Sequence, residues 1–152
     1  MAKRVRKPAT RKAPKERFEK NHYRYGAWTK GKFSEAVVTT GPAKMIFLAG
    51  VGAEDENTGK IRHIGDITAQ NRYAYKKIRK VLAKHGATLN DVVKQTTYVT
   101  DIRYYVACGE TRREAYNFPK KPLPAHTTLN VSQLAWPGML VEIDVIVMVP
   151  AK

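Results

Sequence analysis

The sequence predicts an α+β domain of two layers, with helices packed on one face of a mixed β-sheet. Three observations predict it. Glycine and proline punctuation cuts the chain beyond Phe33 into the order strand, strand, helix, strand, helix, strand. Helical spacing separates the strands, and the last strand alternates a wholly apolar face with a semi-polar one.

The first strand is Val37-Val38-Thr39-Thr40, ending at Gly41-Pro42; the second runs from Lys44 to Gly50 and stops at Gly52. Together they read as a hairpin with a tight turn. A polar loop containing Asn57-Thr58-Gly59 and a short stretch near Ile61 to Ile64 follow. Asp66 and Thr68 offer N-cap oxygens before Ala69, Tyr73, Tyr75, Ile78, Val81 and Leu82, which recur at helical spacing and stop at Gly86. Lys76, Lys77, Arg79, Lys80 and Lys84 read as the solvated face of this helix. Thr88 to Asp91 is a turn, Val92 to Thr100 is a β-branched strand, and Tyr104 to Tyr116 carries a weaker helical pattern ending before Pro119. In the final strand Val141, Ile143, Val145, Val147 and Val149 share one face, against Leu140, Glu142, Asp144, Ile146 and Met148 on the other. A small sheet with such a second face is expected to cover it by association, for example in a closed ring of identical subunits.

At 152 residues the chain is long enough for one domain and too short for two ordinary ones. The charge of +15 is concentrated near the start, where residues 1 to 32 hold twelve Lys or Arg against Glu16 and Glu19, a balance of +10. Residues 1–30 are therefore read as a basic, largely disordered arm and residues 31–152 as the domain. From Ala2 to Lys15 nothing larger than Val5 is available to bury. Residues 18 to 33 add Phe18, Tyr23, Tyr25, Trp28 and Phe33, enough aromatic surface to pack on a domain, a subunit or nucleic acid. The lone Cys108 cannot form an internal disulfide and is read as a buried thiol. No Cys/His run has metal-ligand spacing, so no metal site is expected. With no signal-peptide core and no apolar run of membrane-spanning length, a reducing, cytoplasmic setting is expected.

Two adjacent extended segments near the end carry the chemistry. Leu123-Pro124-Ala125-His126-Thr127-Thr128 precedes Leu140-Val141-Glu142-Ile143-Asp144, placing an ionisable group on each. Together with Gly31-Lys32-Phe33, the glycine at position 50 and the Asn57-Thr58-Gly59 and Gly86 to Asp91 turns, this pattern resembles the Rid (YjgF, reactive intermediate deaminase) family over residues 31 to 150. The resemblance implies a chorismate-mutase-like mixed sheet with two helices on one face. It also implies a homotrimer with clefts between subunits, where imines or enamines such as 2-aminoacrylate are hydrolysed to keto acids and ammonia without a cofactor.

The family's substrate-binding arginine corresponds to His126, its last-strand glutamate to Glu142, and its second-strand backbone site to Ala49 and Gly50. Ala49 replaces a usual serine, Phe33 an aromatic that is often tyrosine, and Glu110 falls near a usual asparagine. An arginine gives a carboxylate two charged hydrogen bonds, whereas a largely neutral histidine gives at most one. The expected activity is thus hydrolysis of an imine, enamine or related small nitrogen compound other than 2-aminoacrylate, with Glu142 and His126 as an acid–base pair. The competing expectation is a nucleic-acid-binding or ribonuclease-like protein that uses the basic arm. The arm could also engage a protein partner or build a larger assembly. Without the resemblance, Glu142 and His126 would read as interface or hydrogen-bonded strand residues, and Tyr98, Tyr104 and Tyr105 read as packing residues.

Overall fold

A computed structural model describes residues 16–24, 26, 27, 32–107 and 123–151. Glu110, Cys108, the second half of the expected second helix and most of the arm lie outside these residues. The elements are β1 (Glu19–Tyr23), β2 (Ala36–Thr40), β3 (Ala43–Phe47), α1 (Ile67–Lys84), β4 (Val92–Val99), α2 (Ile102–Ala107), β5 (Ala125–Asn130) and β6 (Val141–Pro150). A 3-10 turn at Leu89–Asp91 leads into β4, held by reciprocal bonds between Thr88 and Asp91.

The main sheet has the order β3-β6-β4-β5, antiparallel except for the parallel β4–β5 pair. The mixed sheet and the two helices are as the sequence predicts. The hairpin is not. β2 pairs with β1 and β3 pairs with β6, so the turn at Gly41 passes the chain from one sheet to the other. Gly41 has φ +78°, and a Cβ there would stand 2.3 Å from the Arg17 carbonyl oxygen. The strand β1, drawn from the stretch assigned to the arm, is what claims the edge of β2.

Asp66 caps α1 by accepting from the Ala69 N–H at 2.9 Å, and the helix ends ahead of Gly86 at φ +71°. The core lies between the helices and one face of the main sheet. Tyr75, Ile78 and Leu82 of α1 and Tyr105 of α2 pack over Val92 and Val99 and the five apolar residues of β6 from Val141 to Val149. Gln70 is also buried there, donating to the Gly138 carbonyl at 2.8 Å and accepting from the Leu140 N–H at 2.8 Å. That pair of bonds ties the entrance of β6 to α1 and so fixes the strand that carries Glu142.

Among the described residues the opposite face of the sheet is largely uncovered, with Thr39 of β2 reaching it through a hydroxyl contact to Met148 Sδ at 3.1 Å. Register places Met45 beside Met148, Phe47 beside Ile146 and Leu129 beside Tyr98 on this side, and Met45, Phe47 and Leu129 are exposed. No helix among the described residues is long and apolar enough to cross a membrane.

Candidate active site

The strand alternation that buries Val141 and Ile143 turns Glu142 to the open face, opposite Tyr98 on β4. Its carboxylate lies on Gly50: a Cβ built there would stand 1.8 Å from Glu142 Oε1 and 2.6 Å from Cδ. Gly50 is therefore required by close approach and not by backbone conformation, since its φ is not positive. Leu48 donates to Val145 at 3.1 Å and Val51 to Ile143 at 2.9 Å. Between those bonds, Ala49 and Gly50 face the single residue Asp144. This extra residue makes a bulge, which takes the Ala49 and Gly50 backbone out of the regular ladder beside Glu142.

The Glu142 pKa is raised, first by burial, then by the charges of Glu54 and Asp144. Tyr98 donates its hydroxyl to Asp144 at 3.3 Å, and its own pKa is raised by Asp144, burial and Glu142. Glu142, Asp144, Glu54 and Tyr98 thus form an acidic corner, in which Glu142 and Tyr98 hold their protons more tightly than in water.

His126 sits elsewhere. It pairs in register with Gln95, which in turn faces Val145, so the imidazole is on the helix-covered side. Its Nε2 lies 3.0 Å from Thr97 Oγ1, 3.3 Å from Thr128 Oγ1 and 3.4 Å from Gln95 Nε2. Glu142 and His126 are therefore on opposite faces, with β4 between their strands, two strand spacings (about 10 Å) apart across the sheet and a further three residues (about 10 Å) apart along it. One subunit does not bring the expected acid–base pair together. Phe33 precedes Ser34, whose N–H donates to the Pro124 carbonyl at 3.0 Å and which bridges to Ala125, so the chain at Phe33 runs beside the start of the strand that carries His126. His22 of β1 joins that corner, with Nδ1 3.1 Å from both the Ser34 hydroxyl and the Leu123 carbonyl. Its pKa is lowered by burial above all, and by the nearby Lys20 and Arg24 charges, against the raising effect of the Leu123 bond.

The candidate residues therefore fall into two separate groups, one of Glu142, Gly50 and Ala49, the other of His126 and the backbone beside Phe33. Sequence reasoning missed Glu54 and misplaced Lys77. Lys77 is 8% exposed and forms an ion pair with Glu54 at 2.6 Å, in place of the solvated role read from its charge. Its position three residues beyond the buried Ala74 marked it as part of the inward stripe.

Comparison with known proteins adds the family. Residues 27–149 match the model of the family described as Endoribonuclease L-PSP. A RutC family protein of Pyrococcus abyssi is 34% identical over 116 residues, spanning 76% of this chain and 85% of that protein. The 3-aminoacrylate deaminase RutC of Acinetobacter baylyi is 30% identical over 107 residues, spanning 70% of this chain and 81% of that one. In structure, the chain is similar to YyfB, a Rid family protein of Yersinia pestis, with a TM-score of 0.70 at 26% identity, covering 86% of this chain and 98% of the other. With its sheet order, its glycine beneath the last-strand glutamate and a match over most of its length, the chain belongs to the Endoribonuclease L-PSP family, that of the Rid/YjgF proteins.

Proposed function

We propose that the protein hydrolyses the C=N bond of a small imine, or of the imine tautomer of an enamine, in a cleft between subunits of a homotrimer and without a cofactor. The observation that carries this reading is the Glu142 carboxylate packed on Gly50 beside the bulged backbone. Water withdrawn by burial and negative neighbours push its proton affinity toward working pH, where one carboxyl group can both give and take a proton. Protonated Glu142 gives its proton to the imine nitrogen. The carboxylate then takes one from the water whose oxygen bonds to carbon. Glu142, protonated again, gives that proton to the carbinolamine nitrogen; the C–N bond then breaks to release ammonia, and the hydroxyl proton returns to the carboxylate to leave a carbonyl compound.

The exposed apolar residues Met45, Phe47 and Leu129 support association through the open face. Division of the candidate residues into two separate groups supports a cleft in which a neighbour supplies Phe33 and His126. With Nε2 engaged by Thr97 and Thr128, His126 has at most Nδ1 to offer a substrate carboxylate where an arginine offers two charged hydrogen bonds, which favours substrates lacking one. The test is ammonia release from imines generated in situ, by an amino acid oxidase for those with a carboxylate and an amine oxidase for those without. Turnover abolished in Glu142→Gln is expected; no turnover of any imine by an intact oligomer would overturn the reading.

A second reading, nucleic-acid binding through the arm, is favoured by the +10 balance of residues 1 to 32. It is compatible with the first, since the arm would then place a catalytic trimer near a polyanion.

A further inference from the structure

The loop after β3 returns a second carboxylate to the Glu142 corner. Glu54 Oε1 accepts from Lys77 Nζ at 2.6 Å and from the Gly52 N–H at 3.4 Å, while the same ammonium donates to the Glu54 carbonyl at 2.8 Å. Glu54 Oε2 is buried without a hydrogen-bond partner, 2.8 Å from where a Gly52 Cβ would stand. Glu142 rests on Gly50 and Glu54 on Gly52, so the two carboxylates share one short backbone run.

Burying a lysine to meet a glutamate is weak evidence of a contribution to stability, because an apolar pair of like volume often does as well. Imine hydrolysis itself has no need of that ammonium. The groups that act on Glu142 are Glu54 from the loop and Asp144 two residues along β6; Tyr98 faces it across on β4, and Lys77, from α1, bonds to Glu54. Resting on the reading of Glu142 as the proton carrier, we propose that the Glu54–Lys77 ion pair is a charge-setting device for it. Glu54 is a positioning residue that puts fixed negative charge beside Glu142, and Lys77 holds Glu54 in place and limits how much of that charge Glu142 feels.

The two partners act with opposite sign, which a merely structural pair would not. The test follows the Glu142 carboxyl carbon by NMR titration of the full-length protein, its signal identified by loss in Glu142→Gln. Glu54→Gln is expected to lower the titration midpoint, since a negative neighbour is gone. Lys77→Gln is expected to raise it, since Glu54 is no longer compensated. An unchanged midpoint in Glu54→Gln, or movement of both variants in one direction, overturns the proposal. If Lys77→Gln does not fold, Glu54→Gln decides alone, because its amide oxygen can still accept from Lys77. The readout needs no activity. Midpoints that move as expected while the acid limb of the pH–rate profile stays still would keep the device and remove Glu142 from proton transfer.

Discussion

Replacing Gly50 by alanine tests the contact on which the functional reading rests. The new Cβ would stand 1.8 Å from Glu142 Oε1, and an ordinary contact begins near 3.4 Å, so the carboxylate must retreat by about 1.6 Å. Misplacement by 1 Å of a group in the reacting constellation can cost roughly a hundredfold in rate. Gly50→Ala is therefore expected to lower kcat by about a hundredfold or more, equivalent to ~2.7 kcal/mol of transition-state stabilisation. Stability should hardly change, within about 0.5 kcal/mol, because position 50 is exposed and the clash is with the tip of a flexible side chain. Ammonia release from in situ imines gives the rate, and urea unfolding of the same preparation gives the stability. A folded Gly50→Ala protein with wild-type kcat would show that the Glu142–Gly50 contact has no part in the chemistry. A loss of rate matched by a comparable loss of stability would assign the effect to folding instead.

Glu142→Gln should abolish turnover and also change how stability varies with pH. The Glu142 pKa is raised in the folded state, so its contribution is present at low pH and lost as pH rises through the folded value; the urea midpoint of the wild type should fall relative to Glu142→Gln over that interval. His126→Arg should improve turnover of carboxylate-bearing imines relative to carboxylate-free ones by roughly ten- to a hundredfold, the worth of one charged hydrogen bond; equal effects on both substrate groups would remove position 126 from carboxylate recognition. Binding of single-stranded RNA should weaken with salt at a slope of about −0.7 per phosphate neutralised and disappear when residues 1–30 are deleted, as read by fluorescence anisotropy.

What the sequence made legible was what periodicity controls. The alternation of β6 identified both its buried valines and the outward Glu142, and the spacing from Tyr75 to Leu82 identified the inward stripe of α1. Pairing partners were less legible, because Gly41 and Pro42 specify a turn but not which edges the flanking strands seek; β1, hidden in a basic stretch, took the place of β3 beside β2. Lys77 was misread because its charge outweighed its position on the stripe, and Glu54 carried no pattern until the fold brought it to Lys77. The faces of β5 were also out of reach. Whether His126 points with or against Glu142 depends on the parallel register Gln95 to His126, which no local signal encodes.

That register has a consequence that mixing subunits would expose. If Glu142 of one subunit works with Phe33 and His126 of the next, no single chain contains a site, and two inactive variants can repair each other. Co-refolding Glu142→Gln with a Phe33→Ala/His126→Ala variant in equal amounts would place both intact halves together in about one quarter of the clefts by random assortment. Activity should therefore return to roughly a quarter of wild type from two preparations that are each inactive. If each site were built within one chain, every cleft would keep one defect and the mixture would stay silent. Restored turnover that vanishes on dilution below the assembly concentration would tie the chemistry to the interface. Silence from an exchanged, correctly sized oligomer would place His126 in the Thr97–Gln95 cluster as a structural residue and leave Glu142, Gly50 and Ala49 as a site without its second half.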